Sequence, residues 1–284
     1  MLETSDTAGT LVSSAAERLS VAGVADPRRE AEWIWSSVSG MDSFGLSRGS
    51  RDPAPPEVAA RFDAAIARRA GGEPLAYVTG TAGFRRLTLR SDRRALIPRP
   101  ETEGLVDMAL GFTLRGIAAD IGTGTGAVAL ALRSEGDFDE VIGADVSIEA
   151  LDLARANGVE SGLAVTWLAG DLVTPLAGRH VDLLVSNPPY LSRADCEALE
   201  PSVREFEPAM ALFGGPDGLE ITRRLFDEAR RVTTPGGWIA IEIDSRRGDA
   251  SRGAALAAGW QDVGLHDDVF GRVRYLSARN GREP

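Results

Sequence analysis

Ala118-Ala119-Asp120-Ile121-Gly122-Thr123-Gly124-Thr125-Gly126-Ala127 leaves a short apolar strand, passes through three alternating glycines and enters the helical Val128-Ala129-Leu130-Ala131-Leu132. A strand, a glycine turn and a helix in that order let backbone N–H groups approach a ligand at a helix N-terminus. Around this stretch, β-like runs alternate with helical ones: 117–121, 141–145, 164–168, 181–186 and 238–243, then 260–265 and 273–278. That alternation predicts a doubly wound α/β sheet.

Three ligands compete for the glycine loop. A P-loop needs Gly-Lys-Ser/Thr at the helix entrance, and this chain has none there. A dinucleotide site is formally satisfied by Gly122, Gly124 and Ala127, with Asp145 ending the next strand. S-adenosylmethionine would use the same parts, its ribose on Asp145 and its amino-acid end over Gly122-Thr123-Gly124-Thr125-Gly126. Asp145 alone also reads as a cap for the helix after Ser147. Gly170-Asp171-Leu172 follows the third strand, where Asp171 could accept from an adenine amino group. Asn187-Pro188-Pro189-Tyr190 follows the strand at 181–186. Its two prolines remove two N–H donors and hold the chain extended, so the Asn187 side chain and the Pro188 carbonyl are acceptors for a planar amino group. Hydride transfer gives no reason for that turn, so methyl transfer is the better reading.

The 284 residues are 43% apolar, enough for one large core and a smaller module. The N-terminus Met1-Leu2-Glu3-Thr4-Ser5-Asp6 lacks the pattern of a secretory leader, and no apolar run reaches membrane-spanning length, so the expectation is a cytoplasmic protein without a membrane partner; a monomer is expected separately. Cys196 is the single cysteine, which excludes an intrachain disulfide and a thiolate zinc site. His180 and His266 are the two histidines, too few for a histidine metal cluster, and no metal is expected. A net charge of −11 opposes a phosphate-backbone partner.

The first seventy residues read as helices, with Asp26-Pro27 as a cap and first-turn pair and a further helix over 56–70, enclosing a small core of Trp33, Ile34, Trp35 and Phe62. Between 82 and 98 a β-hairpin is expected, its strands at 84–89 and 95–97 and its turn at Ser91-Asp92-Arg93-Arg94.

The chain closely resembles the PrmC/HemK family, the peptide chain release factor N5-glutamine methyltransferases. The likeness covers nearly all of it: Gly72-Glu73-Pro74-Leu75-Ala76-Tyr77-Val78-Thr79-Gly80, Leu96-Ile97-Pro98-Arg99-Pro100-Glu101-Thr102-Glu103, the glycine loop, Asn187-Pro188-Pro189-Tyr190, and Glu207-Pro208-Ala209 leading to Leu212-Phe213-Gly214-Gly215-Pro216-Asp217-Gly218-Leu219. The resemblance implies a helical substrate-binding domain over 1–72, a linker with a β-hairpin over 73–100, and a class I, Rossmann-like S-adenosylmethionine-dependent methyltransferase domain over 101–284. It implies S-adenosylhomocysteine as product and class I release factors as partner, methylated on the glutamine of their Gly-Gly-Gln motif, with Asn187, Pro188 and Tyr190 carrying the chemistry and Pro189 shaping the turn. Arg99 and Glu101 are implied substrate or cofactor contacts, with a surface salt bridge as the competing reading. Asn-Pro-Pro-Tyr alone also suits an adenine-N6 nucleic-acid methyltransferase, and a binding protein without catalysis is a further alternative. The chain departs from the pattern at Asp244, usually glycine, at Arg247, often glutamine, and in its 268–274 tail.

Overall fold

The computed structural model describes residues 7–281, so the leader reading of residues 1–6 lies outside it. The chain divides into two compact units, one reaching to Thr81 and including 200–206, the other made of 82–199 and 207 onward.

The first unit is helical. Its helices Ala8–Val21, Pro27–Ser39 and Pro56–Ala70 each present an apolar stripe, and Val12, Leu19, Ile34, Trp35, Phe62 and Ile66 meet in its centre. Trp35 and Phe62 pack edge to face at 5.2 Å. Trp33 is not part of that core. It is 47% exposed beneath the Arg29 guanidinium, because residues two apart on a helix point about 200° away from each other, so only one of the pair faces inward. Pro27 opens its helix as expected, but Asp26 makes no side-chain cap bond. The short helix Leu75–Thr79, in the stretch read from sequence as linker, adds Val78 to the helical core. No helix among the described residues is long and apolar enough to cross a membrane.

The second unit begins with a hairpin of β1 (Thr81–Phe84) and β2 (Leu87–Arg90). Its turn is Arg85-Arg86, not Ser91–Arg94, and 95–97 is irregular chain. Phe84 and Leu89 fix this register by entering the core together, while Ala95 packs on Ala150 and Leu153. Arg85 takes a left-handed φ of 52° and is held there by carboxylates: Glu103 accepts its backbone N–H at 2.8 Å and Glu135 takes both arms of its guanidinium at 2.6 Å.

The sheet contains β3 (Ile117–Ile121), β4 (Glu140–Asp145), β5 (Thr166–Ala169), β6 (Val181–Ser186), β7 (Thr233–Glu242), β8 (Gln261–Asp267) and β9 (Val273–Arg279). Their spatial order is β5-β4-β3-β6-β7-β9-β8, with β9 antiparallel to both neighbours and the other pairings parallel. Alternate residues of one strand serve opposite cores: Leu183 and Val185 of β6 face one apolar cluster, Leu184 the other. Burial on both faces is why these strands read as unbroken apolar runs.

Register aligns the strand ends. Ile121 stands opposite Ala144 and Ser186, Ser186 opposite Ile241, and Asp145 opposite Ala169. Gly122, Asp145, Gly170, Asn187 and Glu242 therefore lie along one edge, at the carboxyl ends of parallel strands, where open α/β sheets bind ligands.

Asn157 ties the hairpin to this edge. On the buried side of the helix Ile148–Ser161, its Oδ1 accepts from the Arg90 N–H at 2.7 Å, and its Nδ2 donates to the carbonyls of Arg90 and Thr125 at 3.2 and 2.9 Å. Asn157→Ala is expected to cost about 1–3 kcal/mol in urea unfolding, because it leaves buried backbone groups without partners.

Candidate active site

The glycine loop is built by conformation. Gly122, Gly124 and Gly126 all take left-handed φ, at 73°, 56° and 83°, which other residues adopt only under strain. A Cβ on Gly126 would lie 2.8 Å from Trp167, so this glycine also allows the helix Ala127–Glu135 to seat closely. A Cβ on Gly122 would meet open space. Its glycine is required by backbone angle alone, on a face left free for a ligand.

Two carboxylates hold the loop. Asp120 is fully buried, and its Oδ2 accepts from the Thr123 hydroxyl at 2.6 Å and from the Ala129 N–H at 3.1 Å. Burial pushes its pKa up to about 7, with those two bonds pulling the other way and Asp145 adding repulsion. Asp145 accepts the Gly124 N–H on Oδ2 and the Ser147 N–H on Oδ1, each at 2.9 Å. Burial raises its pKa too, against those backbone bonds. Ser147, not Asp145, caps the following helix, accepting from the Ala150 N–H. Each oxygen of Asp145 keeps a second lone pair, the arrangement a pair of ribose hydroxyls needs. Asp171 is exposed and ion-paired with Arg224 at 2.6 Å, and Leu172 beside it takes a left-handed φ of 46°.

At the end of β6, Ser186 donates to the Ile121 carbonyl at 2.7 Å and locks the two strand ends together. Asn187 follows. Its Nδ2 donates to the Thr102 hydroxyl oxygen at 3.1 Å, Thr102 donates its own proton to Glu242 Oε2 at 2.6 Å, and Tyr190 donates to Glu242 Oε1 at 3.1 Å. Asn187 Oδ1 and the Pro188 carbonyl receive no hydrogen bond among the described residues. Burial and the neighbouring Glu242 push the Tyr190 phenol well above its ordinary range, so it stays a donor. Behind the turn, a Cβ on Gly214 would lie 2.3 Å from the Pro189 carbonyl, and one on Gly218 2.5 Å from that of Tyr190. Gly214 and Gly218 are therefore the back wall of the Asn-Pro-Pro-Tyr turn.

Arg99 and Glu101 are placed by other contacts. Arg99 pairs at 2.6 Å with Glu207, whose side chain is 1% exposed and also receives the Ile97 N–H, so the pair binds two family blocks together. The Glu101 carbonyl accepts from Tyr275 at 2.6 Å. The two departures near the C-terminus answer one another. Asp244 pairs with both Arg246 and Arg247, and Arg247 reaches Asp195 at 2.6 Å and the Asp217 carbonyl at 2.8 Å. The Ser192 hydroxyl, aided by the two arginines, holds Asp195 well below the usual carboxylate range.

A model of the PrmC N-terminal domain matches residues 10–80, and one of the methyltransferase small domain matches residues 105–202. The release factor glutamine methyltransferase of Deinococcus radiodurans is 40% identical over 274 residues, 95% of this chain and 97% of its own. That of Geobacter sulfurreducens is 38% identical over 260 residues, 91% of this chain and 92% of its own. The chain belongs to the release factor glutamine methyltransferase family. A methyltransferase from Pyrococcus furiosus has the same fold, with a TM-score of 0.54 at 21% identity, over 69% of this chain and 89% of that one.

Membership of the release factor glutamine methyltransferase family implies use of S-adenosylmethionine, and the residues at the strand ends fit it. The open face at Gly122 and the spare lone pairs of Asp145 suit its amino-acid and ribose parts. Sequence reasoning missed Thr102, Asn157 and Glu242. The signal for Glu242 was available: a lone carboxylate between Ile241 and Ile243 in an otherwise apolar strand is a polar group that must find buried partners.

Asp120 supplies a pH test. Its native pKa lies above that of the unfolded chain, so the folded state holds the extra proton, and stability is lost as pH rises from about 4 through about 7. Asp120→Asn mimics the protonated form and is expected to remove that loss. Urea midpoints at pH 5 and pH 8 should therefore show the variant gaining on the parent at the higher pH; an equal difference at both would mean Asp120 does not titrate in this window.

Proposed function

We propose that this chain transfers a methyl group from S-adenosylmethionine to the side-chain amide nitrogen of the glutamine in the Gly-Gly-Gln motif of class I release factors, in the cytoplasm. The observation that carries this reading is the anchoring of Asn187. With its Nδ2 committed to Thr102, its carbonyl oxygen is left as an acceptor, and the carbonyl of Pro188, one residue on, has no partner among the described residues. Two acceptors on successive residues match in number the two N–H groups of a primary carboxamide.

An amide nitrogen is a poor nucleophile because its lone pair is delocalised into the carbonyl. When bound, S-adenosylmethionine supplies an already activated sulfonium methyl. The residues of this chain have to prepare the nitrogen. Asn187 Oδ1 and the Pro188 carbonyl accept the two N–H bonds, draw electron density onto nitrogen and fix its direction. As nitrogen becomes positive, the same oxygens stabilise it; the methylated nitrogen is then strongly acidic and sheds one proton to water, so no separate base is required. Holding reactants in line supplies as much as roughly 7–11 kcal/mol. Tyr190, its hydroxyl fixed by Glu242, forms a rigid wall for the planar amide. The glycine loop and Asp145 seat the methyl donor, and the helical unit helps hold the release factor.

An adenine amino group would fit the same two acceptors, but 42 acidic against 31 basic residues argue against a nucleic-acid partner. Incubation with tritiated S-adenosylmethionine, release factor and nucleic acid, followed by mass spectrometry of the Gly-Gly-Gln peptide, separates the two. Label on nucleic acid alone would overturn the release-factor reading. Asn187→Ala is expected to lose turnover by on the order of 100-fold or more while S-adenosylmethionine affinity stays within a few-fold; retained turnover would remove Asn187 from catalysis. Asp145→Ala is expected to act on affinity instead, raising the S-adenosylmethionine Kd about tenfold or more by calorimetry through two lost hydrogen bonds.

A further inference from the structure

We propose that Glu242 is a positioning residue that sets the direction of the hydrogen bonds reaching Asn187, and so decides whether that side chain offers its substrate an acceptor or a donor. The inference rests on the function proposed above and assigns a role within its site.

The argument is a count of protons. Glu242 lies on β7 and is 1% exposed, and among its described contacts it meets two hydroxyl donors, Thr102 and Tyr190. A carboxylate has no proton to give, so both hydroxyls must donate to it. Thr102 has a single proton. Once that proton is spent on Glu242, the Thr102 oxygen can only accept, and the group on Asn187 that faces it must be the NH2. The carbonyl of Asn187 is thereby turned toward the other side. A neutral group in place of the carboxylate loosens every link. It could donate to Thr102, free the Thr102 proton for Asn187 Oδ1, and let the amide turn over so that its NH2 meets the substrate amide. Two donors would then oppose each other where the reaction needs an acceptor.

The surroundings give Glu242 a titration that this role makes visible. Burial raises its pKa above the usual glutamate value; Thr102 and Tyr190 pull it back through their hydroxyls, Arg274 on β9 through its charge, and Glu101 pushes it up. Tyr275 on β9 faces it too, its phenol being itself raised to about 12 by burial and by Glu242, and Asp244, two residues beyond the strand, acts on Tyr190. Protonation of Glu242 introduces the same freedom as a neutral replacement. Turnover should therefore fall on acidification through a midpoint above that of an ordinary glutamate.

Glu242→Gln keeps the shape and removes the charge, and Thr102→Val removes the hydroxyl that relays it. Both are expected to lower kcat on the Gly-Gly-Gln substrate by on the order of 100-fold, the effect of a misaligned reactant, with KM within a few-fold and calorimetric S-adenosylmethionine Kd within twofold. The unchanged Kd also reports that each variant is folded. Thr102→Ser restores the relay and should recover most of the turnover lost in Thr102→Val, and the acid limb of the parent's kcat profile should be absent from Glu242→Gln. Wild-type kcat in Glu242→Gln, or equal failure of Thr102→Ser and Thr102→Val, overturns the proposal while leaving the release-factor reading standing. No label on the peptide with the parent enzyme overturns that reading, and this proposal with it.

Discussion

Three carboxylates at or next to the carboxyl ends of β3, β4 and β7 hold the loops of this site, and each works by accepting hydrogen bonds from neutral groups. Asp120 at the end of β3 takes the Thr123 hydroxyl and the Ala129 N–H; Asp145 at the end of β4 takes the Gly124 and Ser147 N–H groups; Glu242 at the end of β7 takes Thr102 and Tyr190. None of these bonds is an ion pair. Buried negative charge is costly without a counter-ion, which is why burial raises the pKa of all three. The return is orientation, because a carboxylate, where ionised, has only acceptor lone pairs and forces its neighbours to donate. Loops whose backbones would otherwise choose among several conformations are thereby given one.

The register of the sheet makes this arrangement possible. Since Ile121 faces both Ala144 and Ser186, and Ser186 faces Ile241, the residues that follow emerge together along one edge. The Asn-Pro-Pro-Tyr turn then needs support from behind, because its prolines cannot donate into a ladder. Gly214 and Gly218 supply that support by close backbone approach, and the Asp244–Arg247–Asp195 group ties the following loop to the end of β7. Asp244 and Arg247, departures when taken singly, form one ion-pair network. Such a network stiffens the loop behind the turn without touching the acceptors at its front.

Much of the second unit was legible because its signals are local. The strands at 117–121 and 181–186 are legible to the residue, the first because Gly116 and Gly122 bound it and the second because polar His180 and Asn187-Pro188 do. The hairpin was not, because its register depends on Phe84 and Leu89 reaching a core made by helices far along the chain, while the polar Ser91–Arg94 stretch resembles a turn in isolation. Trp33 differs from the core expectation for another reason: its composition suggests burial, but helical periodicity sets it on the opposite face from Trp35. In the site, the residues expected to touch ligands were named by motif. Their supports, Thr102 on one helix, Asn157 on another and Glu242 in a strand, come from separate parts of the sequence and meet only in three dimensions.

The chemistry proposed for the site calls for supports that are acceptors and hydroxyls and makes no use of the histidines. His266 is bonded to Ser277 between β8 and β9, and Cys196 has its thiol raised by burial and by Asp195, so neither is poised as base or nucleophile. An amide nitrogen that has taken up a methyl group is strongly acidic and sheds its proton to any acceptor with access to water. The difficult step comes earlier, in bringing a delocalised lone pair to bear in one direction. A strong base would deprotonate solvent-exposed groups without improving that alignment. A pair of carbonyl oxygens held in fixed orientation improves it directly, and a carbonyl oxygen keeps its orientation only if whatever holds the other end of its group cannot reverse. A buried carboxylate behind a single hydroxyl meets that condition for as long as it stays ionised.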